Sequence, residues 1–137
     1  MSLAILRDDA LTTETDASAL RLSLPWIRSL PLACLRDVAV SIDGSPVEGI
    51  RVRLADRDLD PRALADVEAW WHVQDRVALT GIPHLSPGEH HVDVSFSLLI
   101  PYLPGGHDAP LTLPFREDRR CVLDAVVPRA DVARDVI

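Results

Sequence analysis

The chain has 137 residues, a net charge of −7 and 47% hydrophobic residues. That length suits one domain with its own core, and the composition excludes a disordered chain. The densest charge cluster, "REDRR" at 116–120, is mixed in sign, so the basic face that nucleic acid requires is absent.

Along the chain, residues 1–15 and 130–137 show the weakest patterning and are expected to be loosely ordered. Arg7, Asp8, Asp9, Glu14 and Asp16 interrupt the apolar residues at the start, which argues against a signal peptide. No apolar run approaches the ~20 residues of a membrane span. In "ALRLSLPW", Leu20, Leu22, Leu24 and Trp26 share one face, with Arg21 and Ser23 opposite. In "DVAVSIDG", Val38, Val40 and Ile42 alternate, and Asp43-Gly44 follows as a hairpin turn. "GIRVRLAD" sets Ile50, Val52 and Leu54 against Arg51 and Arg53.

One segment breaks the two-residue period. In "LDPRALADV", Asp60 suits an N-cap and Pro61 the first helical position. Leu59 and Leu64 can close as a hydrophobic staple, so one or two helical turns are expected from Pro61 to about Val67. Alternation then resumes. "WWHVQDRVAL" puts Trp71, Val73, Val77 and Leu79 on one side, with Asp75 as the exception. "HVDVSFSLLI" puts Val92, Val94, Phe96, Leu98 and Ile100 together, and "CVLDAVV" does so for Cys121, Leu123, Ala125 and Val127. Repeated strands, eleven prolines and frequent turns predict an all-β antiparallel sandwich with one short helix, spanning 1–137 as a single domain.

Three of the five histidines fall in "HLSPGEHHVDV". A metal site built from His84, His90 and His91 needs all three side chains to converge. Ser86-Pro87-Gly88-Glu89 has the proline and glycine of a type II turn, and the strand after it points His90 and His91 to opposite faces. His91 and Asp93 share the polar face and are the nearest approach to a ligand pair. Ser86 lies in a turn without a nucleophile elbow. Cys34 and Cys121 lack metal spacing and suit free thiols of a cytoplasmic protein, with Cys121 on an apolar face. Asp56 and Asp58 lie beside arginines in a loop, and Gly105-Gly106 marks a turn.

Aromatic residues are few: three Trp, one Tyr and two Phe. Trp70 and Trp71 are adjacent on a strand, so at most one faces the core. Trp26 and Tyr102 each follow a proline, Pro25 and Pro101, and proline within a strand pattern marks an edge or a bulge. The plain alternative is core filling. The sharper reading makes Trp26, Trp70, Pro101 and Tyr102 face a partner or substrate, where Trp and Tyr concentrate binding energy.

The order of "LPWIRSLPLACL", "VAVSIDGSPV", "DLDPRAL", "WWHVQDRVAL" and "LSPGEHHVDVSFSLLIPYLPG" resembles the β subunit family of bacterial C-glycoside deglycosidases, over roughly Leu20 to Gly105. Two places depart from the family pattern. The family's "P-Y-Y-R-G" is here Pro25-Trp26-Ile27-Arg28-Ser29, and its "I-S-Y" is Ile100-Pro101-Tyr102. The resemblance implies a small β-sandwich that is the non-catalytic subunit of a heteromeric carbon–carbon lyase. Its substrates would be 3-oxo-C-glycosides. The resemblance also implies a sugar isomerase/epimerase-like barrel as the α subunit, carrying a divalent metal, usually manganese. No catalytic residue, cofactor or metal is then expected in this chain. The alternatives are a stand-alone carbohydrate-binding sandwich and a small metalloenzyme using the histidines.

Overall fold

The computed structural model describes residues 3–106, 109–126 and 134–135, the last pair by backbone alone. In chain order the strands are β1 (Leu11–Glu14), β2 (Ala17–Ser23), β3 (Leu30–Pro31), β4 (Leu35–Ile42), β5 (Ser45–Pro46), β6 (Arg51–Leu54), β7 (Arg57–Leu59), β8 (Trp70–Trp71), β9 (Asp75–Pro83), β10 (Glu89–Pro104), β11 (Pro110–Val122) and β12 (Arg134–Asp135). One sheet orders β1, β2, β9, β6 and β7, with β12 pairing β9 in parallel. A second runs β11, β10, β4, β5, and a third is the pair β3 and β8. Among the described residues every other pairing is antiparallel. The fold is therefore the expected all-β sandwich. No helix among the described residues is long and apolar enough to cross a membrane.

The core forms where the alternating faces of the two large sheets meet. Val92, Val94, Phe96, Leu98 and Ile100 of β10 are all buried, as their spacing predicts, in one cluster with Leu20, Leu22, Val77 and Leu79 of the other sheet. Fully burying one such side chain stabilises the fold by about 1.5–3 kcal/mol. Phe96 lies between Trp71 and Phe115, with centroids 6.2 and 6.0 Å away and tilted rings, an arrangement that aromatic quadrupoles favour.

Bulges interrupt the ladders in three places. Between the Ser95–Ala39 and Ser97–Arg36 pairs, β4 has an extra residue, and Asp37 there adopts φ 56°. The bulge flips the side-chain parity, so Leu35 and Val40 both reach the core. In β9, Thr80 and Gly81 together face Ala19 of β2. Gly81 has φ +80°, and a Cβ there would lie 1.9 Å from the Gly49 carbonyl oxygen, so only glycine fits. Between the Ile100–Leu111 and Pro104–Pro110 pairs, β10 carries Pro101, Tyr102 and Leu103 with no opposite residues on β11.

The local expectations fare unevenly. Asp43 and Gly44 both have positive φ, as a two-residue hairpin turn of the primed type requires. The expected helix is a 3-10 segment over Pro61–Asp66, capped by the Asp60 side chain accepting from the Arg62 amide. A second 3-10 turn, Leu32–Cys34, had no clear sequence signal. "WWHVQDRVAL" is two strands, not one. Residues 72–74 turn between β8 and β9, where the Asp75 amide donates to the His72 carbonyl at 2.9 Å, so Val73 is 46% exposed rather than facing the core with Trp71. The alternation beginning at Leu20 stops at Ser23, and Trp26 lies beyond the strand.

The last long strand, β11, is displaced from its expected place. It runs over Pro110–Val122 and ends where "CVLDAVV" was expected to begin; Val127 lies outside the described residues. Its inner positions include Glu117 and Arg119, charges that hide the period. Both fasten the N-terminal segment. Glu117 accepts from the Ile5 and Leu6 amides, and Arg119 donates to the Leu6 carbonyl at 2.5 Å and pairs with Asp8. Ile5, Leu6, Ala10 and Leu11 are consequently buried, where loose order was expected. Of residues 130–137, only the backbone of β12 is described.

Candidate functional site

β10 leads to both places where the sequence concentrates chemical groups. At its start, His90 is buried and His91 exposed, on opposite faces as the strand pattern predicts. His90 Nδ1 lies 2.6 Å from Asp43 Oδ2, and its Nε2 lies 2.6 Å from the Ser86 carbonyl oxygen. His91 Nε2 contacts Asp118 on β11. Asp93 pairs with Arg116, whose hydrogen bond holds its carboxyl below the usual range. His91 and Asp93 thus engage different partners and do not form a ligand pair. His84 is exposed in the preceding loop. Among the described residues no three His, Cys, Asp or Glu side chains gather as a metal ion needs.

The other sequence candidates sit in structural settings. Cys34 and Cys121 are free and buried, and burial pushes both thiols up, away from the thiolate a nucleophile needs. Asp58 pairs with Arg53 at 3.5 Å. Glu14 is lowered by its hydrogen bond with Arg53, Asp60 by Arg62 and Asp124 by Thr13. Glu14, Asp60 and Asp124 are thus each held ionised by a neighbour, whereas a general acid at neutral pH needs its pKa raised.

At the other end of β10 the aromatic candidates come together. Pro25 ends the run of β2, and the three-residue bulge throws Tyr102 outward. Trp26 Nε1 donates to Tyr102 Oη at 2.5 Å across 76 positions of sequence. This bond links the segment after β2 to β10; its net worth is about 1 kcal/mol. The Arg28 guanidinium carbon stands 5.2 Å from the Tyr102 ring centroid, within cation–π range. The Trp26 N–H occupies one lone pair on Oη, which leaves the tyrosine O–H able to donate.

Apolar side chains surround the pair. Leu3, Ile27 and Val73 are 41%, 76% and 46% exposed, and Tyr102 is 44% exposed. Leu3, Ile27, Val73 and Trp26 line an open groove of about 420 Å³. Pro101 is also exposed. Trp70 is 54% exposed while its neighbour Trp71 is 1% exposed, which obeys the expected split, but Trp70 lies opposite Pro31 in the small sheet. Among the described residues no hydrogen bond or ring contact joins it to Trp26 or Tyr102.

Sequence reasoning missed Ile27, Arg28, Val73 and Leu3. Ile27 and Arg28 had a signal, since they follow the proline that ends the strand. Val73 had none, because its exposure depends on a turn inside an alternating run.

No family model matches the chain. Curated relatives do. Over 121 residues it is 33% identical to the 3'-dehydrocarminate deglycosidase beta subunit of a Microbacterium species, covering 85% of this chain and 90% of that protein. It is 30% identical over 103 residues to the C-glycoside deglycosidase beta subunit of Microbacterium trichothecenolyticum, covering 72% and 79% of the two chains. It is 31% identical over 108 residues to the corresponding subunit of Arthrobacter globiformis, covering 75% and 82%. The chain belongs to the family of C-glycoside deglycosidase β subunits.

Proposed function

We propose that this chain is the non-catalytic β subunit of a cytoplasmic, heteromeric C-glycoside deglycosidase, acting on 3-oxo-C-glycosides. The observation that carries the reading is the similarity to three such subunits over most of the chain. The name of one relative specifies a 3'-dehydro glycoside, which agrees with an oxidised sugar as substrate.

The chemistry explains why oxidation comes first. A carbon–carbon glycosidic bond has no leaving oxygen to protonate, so two-carboxylate hydrolysis does not apply. A 3-oxo group acidifies the C2 proton. A general base takes that proton, the electron pair passes through the enolate, and the C1–aglycone bond breaks. The aglycone carbon takes up a proton, and the sugar keeps a new C1–C2 double bond.

Base and divalent metal, expected to be manganese, are assigned to a sugar isomerase/epimerase-like α subunit. This chain would stabilise or complete that site through its aromatic end, with Trp26, Pro101 and Tyr102 facing the partner or substrate. Trp70 would belong to a separate contact. Among the described residues the shifted carboxylates all shift downward, which suits a supporting role better than proton transfer.

Co-expression with the barrel protein tests the reading. A stable complex should form, and cleavage of a 3-oxo-C-glycoside should need both chains. An α subunit fully active alone, or two chains that do not associate, would refute it. Sugar binding by the isolated chain, lost with Trp26→Ala or Trp70→Ala, would favour the stand-alone carbohydrate-binding module instead.

A further inference from the structure

We propose that His90 is a charged latch that clamps the 84–88 loop to the Asp43-Gly44 turn, and that alkali opens it. The inference is independent of the subunit role and begins with hydrogen-bond chemistry. Both ring nitrogens lie 2.6 Å from oxygens, one on the Asp43 carboxylate and one on the Ser86 carbonyl. An ionised carboxylate and a peptide carbonyl only accept. Both nitrogens must therefore donate, and a ring that donates twice is an imidazolium. A neutral ring, in either tautomer, would turn a lone pair toward an oxygen.

The surroundings favour the charge. The Asp43 hydrogen bond, and then that of Ser86, holds His90 above the usual histidine range, although burial opposes them. Asp43 is held below the usual carboxylate range, first by His90 and then by the His91 amide. Asp43 is also tied to the strand through both backbone and side chain: its amide donates to the His91 carbonyl at 2.8 Å, and its Oδ1 accepts from the His91 amide at 2.9 Å. The Leu123 amide donates to the Gly88 carbonyl at 2.9 Å, so the loop is also tied to the end of β11.

The other ionisable groups nearby are accounted for. Cys121, the cross-strand neighbour of His90, is a buried thiol pushed up by burial. Glu89 and His91 flank His90 but face the other side of the sheet, where they engage Arg120 and Asp118. His84 is exposed in the loop itself.

The direction of the pH effect follows. The folded value of His90 exceeds the unfolded one of about 6.5. Its stabilising contribution is complete below that value and is lost as pH rises through the raised one. The bond to Ser86 goes first, because its acceptor is neutral and the bond to the carboxylate is charge-assisted. The 84–88 loop is then released while the Asp43-Gly44 turn stays paired to β10.

Ring-resolved NMR of the full chain, with amide-exchange protection measured alongside, tests this across the neutral and alkaline range. His90 should show a doubly protonated ring at neutral pH and titrate above the ordinary histidine range. Protection of the Leu123 amide should fall about tenfold as the ring loses its proton, the loss expected from one hydrogen bond. Asp43→Asn keeps a residue that tolerates positive φ but removes the charge, and should lower the His90 midpoint by about one pH unit. His90→Gln should abolish the pH dependence of Leu123 protection; if it fails to fold, the Asp43→Asn shift decides. A ring neutral at neutral pH, a midpoint at or below the ordinary range, or protection indifferent to His90 titration would overturn the latch.

Discussion

At its start β10 binds its polar groups back into the chain; at its end it turns aromatic groups outward. His90, His91 and Asp93 each have an internal partner. Tyr102, by contrast, receives a hydrogen bond from Trp26 and is 44% exposed. The two places lie roughly 35 Å apart at strand spacing. The difference shows how little residue type says about role. Histidines and carboxylates, the usual groups of catalysis, here tie a turn and neighbouring strands together, while a bulge and the end of a strand expose aromatic and apolar side chains.

Four substitutions test this contrast, from the largest expected effect to the smallest. Phe96→Ala removes the ring between Trp71 and Phe115 and should cost about 3–5 kcal/mol in chemical denaturation. Both ends hang on this part of the core, so a loss confined to one end would show that they are built independently. Gly81→Ala comes next, because positive φ and the Gly49 carbonyl together forbid a Cβ; a loss of more than about 2 kcal/mol is expected. Exchange protection should fall first near Asp43 and Leu85, which line the same cavity as Gly81.

Trp26→Ala should leave most of the folding stability in place yet weaken association with the α subunit by about 2 kcal/mol, or about thirtyfold, in titration calorimetry. Equal affinity for wild type and variant would remove the aromatic end as the partner face. Tyr102→Phe is the gentlest change. It deletes the acceptor for Trp26 Nε1 and should lower stability by about 1 kcal/mol. If it also weakens association, the outward O–H has an acceptor on the partner; if not, the ring alone makes the contact.

Legibility followed burial. The core face of β10 was readable because five alternate positions are apolar and all five are buried. β11 was not, because Glu117 and Arg119 stand at inner positions to hold Ile5 and Leu6. Their charge is satisfied by main-chain groups and the Asp8 carboxylate far away in sequence, and no window of local sequence contains both partners. The site was half legible: proline before an aromatic marked Trp26 and Tyr102, and the adjacency of Trp70 and Trp71 required one to be exposed. Val73 and Leu3 were invisible because a turn and a docked terminus expose them.

By itself the sequence determined the all-β class, the hairpin at Asp43-Gly44, the capped turn at Pro61 and the separation of His90 from His91. These depend on backbone preferences and side-chain alternation within a few residues. Only the tertiary structure decided that Trp26 meets Tyr102, that Trp70 stands apart, and that His90 is held by two acceptors. Trp26 reaches Tyr102 across 76 positions at a bulge of β10, and His90 reaches Asp43 across 47, so geometry rather than local preference sets the outcome.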